Sequence, residues 1–469
     1  MKINLFISKE MKKFQLKFYS IITMVLLLLT VSCQDLTEIN TSPNQLNASD
    51  INVKYVLTSV LSSSGNKYVR ENVYGATVTI SEAMQYMQRD YIDFAQPNGL
   101  VWGPVAFTSN YGPLVNSQYI YENAKSEVLE GNQKFYTAVG QIMRSFWFGF
   151  LTSLYGDIPY SEAMKATEGN YTPVYDAQKD IFKGILADLK SANELLASVT
   201  TVDGASSADL MFQGDVLKWR KFANSLRLRY LMRLSEKSAD AGFDVKAEFN
   251  AIAGNPSANP VFTSSSDNAA IPYIGSDAAN SWYGGPLNWT NRSEYYRRKP
   301  CITFVKELRT NSDPRLTSFI RPTDAQLKVS SATPEYVKLS DGQIIRNVPA
   351  STTGVANIDT ARYNGLPAAM NDPNLFNLLS STNFNSIKAL NSSIYTDLAA
   401  NPHVSYLSDM YAMNVNPLVK AVLMSYAELN FIMAEARQRG WITTSTAVDY
   451  YKAGITASLR QYLIADGSK

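Results

Sequence analysis

Between residues 135 and 154, apolar side chains recur at Phe135, Val139, Ile142, Met143, Phe146, Phe150 and Leu154, which is helical spacing. The end of this helix is apolar on almost every side, so neighbours must cover it all round. Gly140 and Gly149 interrupt the run along with Ala138, Ser145 and Ser153. An interior glycine costs about 1 kcal/mol against alanine, so two of them point to neighbours packed close. Gly156 suits the left-handed position after a helix, and Pro159 forbids continuation. Arg144 interrupts the segment, and the run from Ser145 to Tyr155 is too short to cross a bilayer. It reads as a central core helix with a hard stop.

The same periodicity predicts helices over 51–62, 68–89, 114–129 and 132–155. Asp176 is placed to cap the next, whose apolar stripe is Ile181, Ile185, Leu189 and Leu195/Leu196. A further helix starts at Gly214-Asp215, with Val216, Trp219, Phe222, Leu226 and Tyr230 on one face and Arg220, Arg227, Arg229 and Arg233 on the rest. Periodicity vanishes from about 254 to 300, where prolines and glycines mark long loops. Loops of that length are functional or disordered. This one carries Tyr273, Trp282, Tyr283, Trp289, Tyr295 and Tyr296, and disordered segments are poor in aromatics. A short helix over 301–310 follows, then a loop-rich stretch over 321–416 with short strands near 335–339 and 343–348. Helical pattern returns from Pro417 to a stop at Gly440, and again over about 444–464. The expected class is mainly α, built from helix pairs with a loop-rich insertion at about 254–416.

Charge changes the picture mainly at the N-terminus. Residues 1–32 hold five Lys and one Glu, so the remainder carries 38 basic and 40 acidic residues against 43 and 41 in the whole chain. A near-neutral body argues against nucleic acid as a partner. The leading segment couples those lysines to Ile21–Val31, the length of a signal-peptide core. Met11-Lys-Lys offers a second start within it. The core ends in Leu29-Thr-Val-Ser-Cys33, which resembles a bacterial lipobox, although Thr30 replaces the usual aliphatic residue. The expectation is acylation of Cys33; the alternative is plain secretion with a free thiol. Each buried methylene of an acyl chain adds about 0.8 kcal/mol, and more than one chain makes anchoring durable. Cys301 is the only other cysteine, so an acylated Cys33 leaves it without a disulfide partner. It reads as a small buried residue.

Several stretches, taken in order, resemble SusD/RagB-type outer-membrane lipoproteins. Cys33 is followed by Leu36-Thr-Glu-Ile-Asn40 and Ser42-Pro43. Leu154-Tyr-Gly-Asp-Ile-Pro-Tyr-Ser-Glu-Ala163 is similar to the family's hallmark turn, Gly214–Arg229 to its arginine-bearing helix, and Asp313-Pro-Arg-Leu316 to another marker. The closing helix pair around Ser425–Arg437 resembles a tetratricopeptide-type unit. The resemblance implies a SusD-like scaffold of tetratricopeptide-type helix pairs. It also implies a surface-exposed lipoprotein that binds a glycan and passes it to a SusC-like TonB-dependent transporter, with no cofactor. The expected layout is a signal peptide over 1–32, a polar tether over 33–50 and a SusD-like domain over 51–469. Relatives continue with a Trp-rich segment that is missing here, so a truncated C-terminus is expected.

Candidate chemistry points the same way. His403 is the single histidine, which leaves little material for a zinc site or a Ser-His-Asp triad; it reads as a loop residue. Carboxylate pairs could serve a glycosidase. Glu428 and Glu435, two helical turns apart, are expected instead to pair with the arginine-rich helix, and Asp157 to stabilise its turn. Sugar binding needs only flat aromatic faces with amides, carboxylates or guanidinium groups nearby. Trp282, Tyr283, Trp289, Tyr295 and Tyr296 are the candidate ligand-binding residues, with Trp102 and Tyr111 weaker; the alternative is that these rings plug the core beneath the loops. Peptides or another nutrient on the same scaffold, and a surface glycosidase, are the competing functions.

Overall fold

The computed structural model describes residues 11, 13–20, 51–71, 80–89, 110–288, 295, 298–367, 376–379 and 401–464. The chain divides into two units, Met1–Ile51 and Asn52–Lys469. In the first, residues 13–20 are helical and exposed. The expected signal-peptide core, Cys33 and the tether lie outside the described residues. No described helix is long and apolar enough to cross a membrane.

The second unit is mainly α. Its principal helices are α1 (Val53–Gly65), α2 (Gly112–Asn123), α3 (Glu130–Tyr155), α4 (Gln178–Ala197), α5 (Val216–Arg233), α6 (Val245–Ala253), α7 (Ile302–Thr310), α8 (Tyr426–Gln438) and α9 (Ala447–Gln461). Helix α3 packs on α2 and α4, α4 on α5, α5 on α8, and α8 on α9. Each helix of this series thus buries its stripe against the next, as paired-helix scaffolds do. On α3, Phe135, Val139, Ile142 and Phe146 are fully buried, each such side chain contributing about 1.5–3 kcal/mol. Both interior glycines are explained by contact. A Cβ at Gly140 would lie 2.7 Å from the Tyr121 backbone nitrogen on α2, and one at Gly149 would collide with the Tyr230 ring on α5. Arg144 leaves the apolar face to reach Asp188 at 2.6 Å and Gln118 at 2.6 Å.

The hallmark turn is a structural bracket. Helix α3 ends at Gly156, whose φ of 76° is closed to most side chains. Asp157 then accepts the Gln178 backbone N–H at 2.9 Å, so the end of α3 is tied to the start of α4. Strands β2 (Ile158–Pro159) and β3 (Tyr175–Asp176) pair antiparallel within the turn. Asp176 does not cap α4, as its sequence position suggests. Its carboxylate accepts the Tyr160 and Ser161 backbone N–H groups at 2.9 and 2.8 Å, and the cap position falls to Ala177. Those bonds hold the Asp176 carboxyl below its usual range, against the opposing effect of desolvation.

Among the described residues, four further small sheets bind the loops. Strand β1 (Met87–Arg89) pairs antiparallel with β5 (Arg298–Pro300), and β4 (Ala269–Pro272) with β11 (Lys420–Met424). Strand β6 (Ile320–Arg321) pairs with β10 (Tyr406–Leu407), and β7 (Ala325–Val329), β9 (Ile344–Val348) and β8 (Tyr336–Lys338) form a three-stranded sheet in that order. The two strands expected near 335–339 and 343–348 are therefore present. Two helical expectations are corrected. Residues 68–89 are not one helix: a π-helical turn runs Asn66–Glu71, and a four-residue turn, Ile80–Ala83, leads into β1. Gln85, with φ of 56°, breaks any helical continuity there. Likewise the stretch from Pro417 begins as β11, and α8 starts only after Ser425, whose hydroxyl accepts the Glu428 N–H.

Candidate functional site

The five aromatic residues singled out from sequence have different fates. Trp282 is buried, its indole N–H donating to the Tyr411 carbonyl at 2.9 Å, but one edge of it lines an open recess. Tyr283 and Tyr295 are only 4% and 0% exposed, so neither ring presents a face to a ligand. The Tyr295 hydroxyl donates to the Leu407 carbonyl, and its ring stacks on Tyr406. These two fill the core beneath the loops. Trp289 and Tyr296 lie outside the described residues, as does Trp102. The Tyr111 hydroxyl donates to the Pro159 carbonyl at 2.9 Å and serves the α3 bracket.

The recess has a volume of about 410 Å³, within the range of small-molecule sites. Tyr86, Trp282, Phe304, Phe319, Tyr411 and Tyr462 supply its rings. Strand pairing holds them together: the Cys301 N–H donates to the Tyr86 carbonyl at 3.0 Å, extending the β1–β5 ladder and setting Tyr86 beside Phe304 on the first turn of α7. The Tyr86 and Phe304 centroids are 5.3 Å apart, Phe304 stacks on Phe319 at 6.0 Å, and Phe319 meets Tyr462 edge-on at 4.8 Å. On the other side Trp282 tilts against Tyr411 at 5.8 Å. Burial pushes the Tyr462 hydroxyl above its usual range, with the Tyr411 hydroxyl and Arg315 opposing. It stays a neutral hydrogen-bonding group at any ordinary pH.

Just behind the lining, Glu82 and Arg298 form an ion pair at 3.0 Å with both side chains out of solvent. Such a pair is sensitive to the loss of either partner, so it fixes the segment carrying Ser81 and Tyr86 relative to β5. Met87 and Leu407 complete an apolar wall. The arrangement can take the C–H face of a sugar ring or an apolar side chain, with phenol hydroxyls at hand. Sequence reasoning missed most of it, because Tyr86 read as helix interior and Phe304 as an ordinary helix position.

A family model described as starch-binding, associating with the outer membrane, matches residues 43–469. The chain belongs to the SusD-like family. Among solved structures it is similar to a Bacteroides vulgatus protein suggested to be an outer-membrane, nutrient-binding protein, at 26% identity and a TM-score of 0.63, covering 88% of this chain and 74% of that one. A SusD homologue from Bacteroides fragilis matches at 28% identity and a TM-score of 0.60, covering 88% and 73%. A chitin-binding protein shares the fold at 23% identity and a TM-score of 0.61, covering 90% and 77%. No curated protein matches. SusD-like proteins form a family of outer-membrane nutrient-binding proteins, and the mainly α fold of this chain is theirs.

Proposed function

We propose that this SusD-like chain is a surface-exposed lipoprotein, acylated on Cys33, that captures a glycan and passes it to a SusC-like TonB-dependent transporter. It breaks no bonds. The observation that carries the ligand reading is the aromatic recess: rings from six separate segments converge on one open cavity of sugar size. Trp282 is a wall of that site, and Tyr86 and Phe304 are its accessible faces. Trp289 and Tyr296 remain proposed contacts from the same loop. A few stacking faces without charge support affinities of about micromolar to millimolar.

A second reading, capture of an apolar peptide side chain, draws on one specific feature. Apart from Ser81, the tyrosine hydroxyls and the Trp282 indole N–H, which is bonded to the Tyr411 carbonyl, the described lining offers no hydrogen-bonding side chain. Calorimetry of the purified chain against neutral oligosaccharides and hydrophobic dipeptides separates the two. Binding confined to oligosaccharides, with no reducing ends released on prolonged incubation, supports glycan capture; binding confined to dipeptides overturns it. Mass spectrometry of membrane-extracted protein tests the anchor, and an unmodified Cys33 thiol contradicts it.

A further inference from the structure

A second cavity lies apart from the aromatic recess and differs from it in chemistry. Its volume is about 390 Å³, and it opens between the start of α5, the segment leading into β4, the start of β11 and the end of α9. Its described lining includes Lys218, Lys420, Gln213, Ser265, Ser266 and Gln461, above a floor that includes Phe212 and Val422. The pleat of β11 explains the mixture. Ala421 and Leu423 point into the core, which leaves Lys420 and Val422 on the opposite face, toward the cavity.

The charge there is one-sided. Among the described lining residues there is no Asp or Glu, and neither Lys218 nor Lys420 pairs with a carboxylate among the described residues. The nearby acids are occupied elsewhere. Asp209 accepts the backbone N–H groups of Met211, Phe212 and Gly214 together with the Trp219 indole N–H. Asp215 caps α5 through the Lys218 backbone N–H at 3.0 Å, and Asp267 takes the Lys221 ammonium at 2.8 Å. Two ammonium groups therefore face a concave, hydroxyl- and amide-lined space with no counter-charge inside it. Gln213, one of the lining residues, is held at φ of 56°, a conformation that non-glycine residues adopt only where the surroundings enforce it. Asp209 enforces it by gripping the backbone on both sides.

We propose that this cavity binds the anionic group of an acidic oligosaccharide, a carboxylate- or sulfate-bearing sugar unit. The lysines supply the charge, while Gln213, Ser265 and Gln461 supply hydrogen bonds to ring hydroxyls. The inference deepens the glycan-capture reading and rests on it for the class of ligand, but it uses a different cavity. Neutral units stack in the recess, and acidic units are read here.

The test is calorimetry of the full chain with three probes: a galacturonate trisaccharide, its fully methyl-esterified neutral form, and inorganic sulfate. The trisaccharide is expected to bind at least tenfold more tightly than its ester, and to weaken as salt is raised through the range where the screening length falls below about 10 Å. The doubly substituted Lys218→Gln, Lys420→Gln chain should lose at least tenfold for the acid while the ester is unmoved. Tyr86→Ala, in the recess, should leave the acid preference intact. Equal binding of acid and ester overturns the proposal, as does undetectable binding of the acid. An unchanged affinity in the double variant overturns it too, and so does sulfate binding as tightly as the trisaccharide. Loss of neutral-oligosaccharide binding in a Tyr86→Ala chain bears only on the recess, so the two readings fail separately.

Discussion

Arg229 and Glu428 meet as a two-point pair, Nε to Oε1 at 2.6 Å and Nη2 to Oε2 at 2.7 Å, across 199 residues of chain. The pair joins α5 to α8, and Arg229 also donates to the Leu423 carbonyl at 2.8 Å. Burial alone would lower the Arg229 pKa, but the Glu428 carboxylate outweighs it and the net shift is upward. The burial is uneven: the arginine side chain is 10% exposed and the glutamate 39%. Glu428→Ala strands a buried cation and is expected to cost about 3 kcal/mol of stability. Arg229→Met keeps the aliphatic stem, leaves a carboxylate that water can reach, and should cost less. Urea unfolding of the two variants gives the order; Arg229→Met as the more damaging change contradicts this account.

Close approach of α2 to α3 at Gly140 makes a second prediction. Alanine gains about 1 kcal/mol of helix propensity over glycine. Its Cβ, however, meets the Tyr121 nitrogen at 2.7 Å and the Ser117 carbonyl oxygen at 3.0 Å, both of them backbone atoms. Overpacking costs about 1–3 kcal/mol, so Gly140→Ala is expected to lower thermal stability despite the propensity gain. Gly149→Ala should do the same against the Tyr230 ring. An unchanged or raised Tm in either variant shows that the helices are less tightly packed than described.

His403 predicts a pH dependence. It is fully buried, its Nδ1 2.6 Å from the Ala325 carbonyl oxygen and its Nε2 3.4 Å from the Arg346 guanidinium. A neutral ring donating from Nδ1 satisfies both neighbours. Desolvation lowers its pKa to about 3; the bond to Ala325 opposes the shift and Arg346 adds to it. The unfolded chain takes up this proton near pH 6.5 and the folded chain does not. Stability from this residue is therefore complete above pH 6.5 and is lost progressively as pH falls toward 3. Between pH 7.5 and 5.5 the loss should be about 1.4 kcal/mol. Because His403 is the only histidine, urea unfolding across that interval isolates it. A His403→Gln chain should show a flatter profile, and an equally steep one contradicts the assignment.

Elements that organise themselves locally were legible in the chain. Gly156 and Pro159 marked the end of α3, α5 starts right after Gly214-Asp215 as expected, and Cys301 is buried. Glu428 found the arginine-rich helix as expected. Glu435 did not: it pairs with Arg439, the residue that follows α8, at 2.8 Å, and Arg439 in turn reaches Glu236. What stayed hidden depends on partners far away in sequence. Strand β1 is three residues long and acquires its identity only from Arg298–Pro300, with Met87 facing Pro300. A helical pattern around it is what local periodicity detects. The recess has the same origin, since Tyr86, Phe304 and Tyr462 come together only when β1 and β5 pair and Phe319 bridges Phe304 to Tyr462, just past the end of α9. His403 occupies a loop as read, but no local signal foretold that the loop is buried.

The most direct test of the central claim is titration of Tyr86→Ala and Phe304→Ala chains with the neutral oligosaccharide that binds the unaltered protein best. Tyr86 is half-exposed, and its removal disturbs little packing; Trp282 is a poorer choice, because its loss also removes a buried hydrogen bond. Each stacking face is worth about 0.5–1.5 kcal/mol beyond its area burial. Together with the lost area, affinity should therefore fall about tenfold in each variant, with Tm near that of the unaltered chain for Tyr86→Ala and lower for Phe304→Ala, whose ring also packs against Val305, Leu308 and Ile320. Full affinity in both folded variants places the ligand elsewhere and contradicts the recess as the binding site.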